Sequence, residues 1–142
     1  MTRLHRAGRD AGSTTLEVAI LTPALILVLG AMIVVGRVQL AAGAVEHAAA
    51  VAAREASRAR TTSVATAAAQ SAVDRELAAT DCSASSVTVD ATGISAPIGQ
   101  SATVSVTVRC VIDLSDLAIP VLPGTRTLTG SAISSVDTWR QR

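Results

Sequence analysis

Few residues of this chain have the type and spacing to do chemistry: His5 and His47, Cys82 and Cys110, and one carboxylate, Glu17, set against an apolar run. His47 follows Glu46 but lacks the second histidine that an H-E-x-x-H zinc motif needs. Two cysteines and one histidine fall short of the four ligands of a structural zinc site. Serine and threonine are plentiful, yet only His47 could serve any of them as a base. No glycine-rich phosphate loop follows a strand pattern. The expectation is a non-enzyme with no metal and no cofactor. A basic patch interleaved with aromatics is also absent, which argues against nucleic-acid binding.

Glu17 matters because of the apolar run it heads. Val18 to Val35 is eighteen residues without a formal charge. As a helix it spans ~27 Å, close to the ~30 Å hydrocarbon core of a bilayer. It has no polar face, so a membrane helix is expected, kinked at Pro23. A carboxylate inside such a helix costs roughly 2.5–3.5 kcal/mol at mid-bilayer and less near the interface. An interfacial charge with no partner is therefore one reading of Glu17. Arg3, Arg6 and Arg9 crowd the N-terminal flank, whereas only Arg37 lies just beyond the run. This asymmetry puts the N-terminus in the cytoplasm and the remainder outside. A cleaved secretory signal is the competing reading, with Ala42-Gly43-Ala44 as its site. Its apolar region would be only ~7–15 residues, so a retained anchor is expected.

Gly12 lies five residues before Glu17 and three residues after Arg9, the end of the basic stretch R-L-H-R-A-G-R. Basic leader, Gly, four residues, Glu, then an apolar helix is the layout read by prepilin peptidases. With the helix and strand patterns of the remaining chain, the sequence resembles the TadE-like minor pilins, or pseudopilins, of tight-adherence (Flp-type IV) pili. The family commonly places an aromatic after the Glu, where this chain has Val18. The resemblance implies cleavage between Gly12 and Ser13 and a role for Glu17 in subunit assembly. The implied partners are the membrane, a prepilin peptidase, the major pilin and other TadE/TadG-like minor pilins. The implied location is the cell membrane, single-pass, in or at the base of a pilus.

The elements outside the membrane have little to build a core from. Of 142 residues, 49% are apolar, but there is one Trp and no Phe or Tyr. Few side chains can bury large areas, and small domains of this kind need a staple. Residues 37–60 are alanine-rich, with Val38, Ala41, Val45, Ala48 and Ala52 at three-four spacing. Small residues on such a stripe favour close helix approach. Residues 63–79 carry Ala69, Val73 and Leu77 on one face. One helix or two over 37–80 stays open, with a bend expected near Thr61. Thr103 to Ile112 alternates apolar and polar, the mark of a half-buried antiparallel strand. Shorter strands are expected at Val87–Val89 and Leu128–Val136, and a helical turn and loop through Pro120 and Pro123. Cys110 falls on the buried parity; Cys82 has the opposite parity to Val87 and Val89, so it is expected in the connection before the first strand. In the oxidising compartment that this topology implies, the two cysteines read as a disulfide.

The expected architecture is α+β. A basic leader (1–12) precedes a transmembrane helix (13–36), an extracytoplasmic helical region (37–80) and a small β-rich domain (81–142). Two functions fit it. One is a structural assembly subunit; the other is an unprocessed, membrane-anchored binding module.

Overall fold

In the computed structural model, residues 10–115 and 124–139 are described, with side chains from Glu17 onward. His5 and the first nine residues of the leader lie outside them, as do the Pro120–Pro123 loop and Arg140–Arg142. The chain divides into two compact units between Gly36 and Arg37. Helix α1 runs from Asp10 to Ser57. It stays helical through Pro23, whose missing N–H leaves the Ala19 carbonyl without its usual donor. One residue earlier, the Thr22 hydroxyl donates to the Val18 carbonyl at 2.7 Å.

The expected bend near Thr61 is a full break, so residues 37–80 hold two helices. At the end of α1, Ser57 Oγ donates to the Arg54 carbonyl at 2.9 Å, and the Arg58 and Ala59 N–H groups reach back only three residues. These tighter turns end the α-helical ladder. Thr61 then takes extended backbone angles, and its hydroxyl accepts from the Val64 N–H, capping α2 (Thr62–Glu76). Arg75 Nη2 contacts Glu55 Oε1 at 2.8 Å, and His47 Nε2 lies 3.5 Å from Glu76 Oε2. Both pairs are partly exposed. They set the register of the two helices more than they stabilise it.

A three-stranded antiparallel sheet completes the unit, in the order β1 (Cys82–Asp90), β2 (Ala102–Asp113), β3 (Thr125–Val136). The alternation of β2 decides its burial: Val104, Val106, Val108 and Cys110 are fully buried and Ile112 nearly so. Against this face pack Val45, Ala48, Ala49, Ala52 and Ala56 of α1, with Ala65, Ala69 and Val73 of α2. The alanine stripe of α1 is thus the core side of a helix laid on a sheet. The largest fully buried side chains are valines and one cysteine. β3 begins at Thr125, three residues before the expected Leu128, because Thr125 to Thr127 pair with Asp113 to Val111 of the long central strand.

A core of alanines requires backbones to approach closely. Helix and sheet approach closely at Gly130 of β3, where an added Cβ would stand 2.8 Å from the Val45 carbonyl oxygen and 2.9 Å from Glu46 backbone atoms. Gly130→Ala must therefore push the sheet off the helix. Its expected cost is ~1–3 kcal/mol, read as a lower denaturant midpoint by circular dichroism. Ser131→Ala on the outward face should leave the midpoint unchanged.

Candidate functional site

Two features bear on what this chain can do. The first is the apolar part of α1. Every large apolar side chain from Val18 to Val35 except Val34 is more than half exposed. The segment is long and apolar enough to cross a membrane. All its backbone groups but those around Pro23 are satisfied within the helix, which a bilayer demands. Glu17 sits at its start, exposed, and has no hydrogen-bond or ion-pair partner among the described residues. Gly12 and Ser13 lie within the helical backbone that begins at Asp10. Glycine lowers helix propensity by ~1 kcal/mol relative to alanine, which eases local unwinding at the Gly12–Ser13 bond.

The second feature is the cysteine pair. Cys82 is not in the connection before the sheet: it is the first residue of β1. Val87 pairs with Val108 and Cys82 with Ile112, so five steps on β1 match four on β2. The extra residue makes a β-bulge at Ser83, whose hydroxyl donates to the Val111 carbonyl at 2.9 Å. A bulge inverts strand parity. It turns Cys82 to the buried side, diagonal to Cys110, where parity counted from Val87 placed it elsewhere. The two sulfurs are bonded at 2.05 Å, with Cα atoms 5.4 Å apart.

Among the described residues, no three His, Cys, Asp or Glu side chains gather as a metal site would require. His47 lies beside Glu76, largely exposed. At the β1–β2 connection, the Thr92 hydroxyl and N–H both donate to Asp90 Oδ1, at 2.8 and 3.1 Å, and hold its carboxyl below the usual range. This Asx turn closes the strand and is structural. Sequence reasoning gave no role to Arg54 and Arg58, which line an open cleft of about 440 Å³ at the end of α1 with Ser57, Ser134 and Asp137. Their i,i+4 spacing was the available signal.

A family model described as TadE-like protein matches residues 12–54. The match covers the helix from Gly12 through the alanine face, and the likeness is to that segment. Comparison with curated proteins and with solved structures returned no significant match.

The bridge closes a loop across a separation of 28 residues. On the chain-entropy model this is worth ~3–4 kcal/mol, a large share of what an alanine–valine core can hold. Non-reducing peptide mapping should recover the Cys82 and Cys110 peptides linked. Cys110→Ser should make the unit from Arg37 onward sensitive to dilute protease. Free thiols at both positions would remove the bond from the account.

Proposed function

We propose that the chain is a minor pilin of the TadE-like type, a structural assembly subunit of a tight-adherence type IV pilus. On this reading it inserts with its N-terminus in the cytoplasm, and a prepilin peptidase cuts between Gly12 and Ser13. One observation carries the proposal: Gly12, Glu17 five residues on, and an exposed apolar helix coincide in one TadE-like segment. A membrane-tethered binding module would need the helix but has no use for a glycine at that spacing. The proposal assigns no catalysis.

Cleavage would give Glu17 a natural counter-charge. The new Ser13 amine is largely protonated at neutral pH and lies ~6 Å along the axis from Glu17 of its own chain. Both groups of one helix point the same way, so pairing is better between neighbours displaced along their axes. Transfer from lipid into such a pair offsets the cost of the lone carboxylate.

The membrane form should have the intact mass of a chain starting at Ser13. A species starting at Met1 in cells with active prepilin peptidase would sink the idea, as would normal processing of Gly12→Leu. Glu17→Gln keeps the shape and deletes the charge. It should insert and be cut normally, yet co-purify with fewer pilus subunits at equal abundance. Equal recruitment would return Glu17 to the reading of an interfacial charge.

A further inference from the structure

The unit from Arg37 onward is electrically two-ended. At one end, Arg54 and Arg58 stand one helical turn apart beside the 440 Å³ cleft. Neither guanidinium has an ion-pair or hydrogen-bond partner among the described residues. At the other end, a cleft of about 400 Å³ is lined by Asp81, Asp113, Leu40, Ala41 and Leu114. The pairing of Cys82 with Ile112 sets Asp81 beside Asp113. Asp81 is exposed and also lacks a partner among the described residues. The Ser115 N–H donates to Asp113 Oδ1 at 2.8 Å, which holds its carboxyl below the usual range and so ionised. Arg37, on the rim of this cleft, already has an interaction within the chain.

Each end therefore sets two like charges side by side, which is unfavourable in isolation. The ends are also matched in apolar surface. Trp139, the sole aromatic, is 80% exposed beyond β3, and its N–H donates to Asp137 on the cationic cleft. Leu40, on the anionic cleft, is 78% exposed. Asp137 is the one carboxylate lining the cationic cleft among the described residues, and its side chain is occupied by this turn.

We propose that a second copy of this chain docks head to tail on this unit, with Asp81 and Asp113 of one copy against Arg54 and Arg58 of the other. The two ends of one sequence are complementary in charge and both carry exposed apolar side chains, which fits a second copy as the occupant. Such a contact joins two different surface patches, so it propagates as an open row when its rotation does not close. Exposed ion pairs are individually weak, and the two clefts lie ~25 Å apart along α1, so the contact joins copies displaced by about that length along their axes. It does not depend on cleavage at Gly12, and loss of processing would leave it intact.

The chain contains no lysine, which permits a specific test. Arg58→Lys keeps the charge and introduces one side-chain amine. The full-length variant, as mixed ¹⁴N and ¹⁵N protein in detergent micelles, where copies are free to shift along their axes, is treated with a zero-length carbodiimide cross-linker. The expected product is a mixed-isotope peptide pair joining position 58 to Asp81 or Asp113. These positions are ~25 Å apart along α1 of one chain, so the link cannot be internal. It should be lost when Asp81→Asn and Asp113→Asn are added, and fade in ~1 M salt, where the screening length is ~3 Å. No mixed-isotope product, or links only to other carboxylates such as Asp137, would overturn the proposal.

Discussion

The structure depends on one constraint: the side chains from Val18 to Val35, Thr22 apart, offer water nothing to bond to. A helix with apolar residues all round is stable when surrounded by lipid or by other helices. Its own unit leaves nearly all of these side chains exposed. The single carboxylate at its head, Glu17, is correspondingly out of place in hydrocarbon. An environment that satisfies both the apolar surface and the charge is a bundle of like helices carrying a compensating cation.

The second unit meets a different difficulty. With alanine and valine filling its interior, it gains little area per residue and must gain it by proximity. Gly130 lets strand and helix backbones nearly touch. The Cys82–Cys110 bond limits the unfolded chain where burial alone contributes little. The outward face of the sheet is mostly serine and threonine, as at Thr107, Thr129 and Ser131.

Much of this was legible in the sequence because it depends on period and composition. The uncharged run, the three-four alanine stripe and the strict alternation from Thr103 to Ile112 are all local patterns, and the described helices and strands obey them. The misplacement of Cys82 has a specific cause. Parity was counted back from Val87 through Ser83, and a bulge there adds one residue that no side-chain pattern marks. The extra length of β3 came from pairing with β2, a tertiary effect acting on a Thr-Arg-Thr stretch that reads as loop. The break after Ser57 was visible only as a polar interruption, since the hydrogen bonds that tighten the last turn involve backbone groups. The opposed charge pairs could not be seen at all, because Asp81 and Asp113 meet only through strand register.

The central claim is that the apolar segment of α1 ends among the helices of other pilus subunits and does not merely anchor a domain in lipid. A photoreactive amino acid placed at Leu25, 61% exposed in its unit, tests this directly in cells that are assembling pili. The account predicts covalent adducts between this chain and a second pilus subunit, diminished when assembly is blocked. Adducts confined to lipid during active assembly would contradict it.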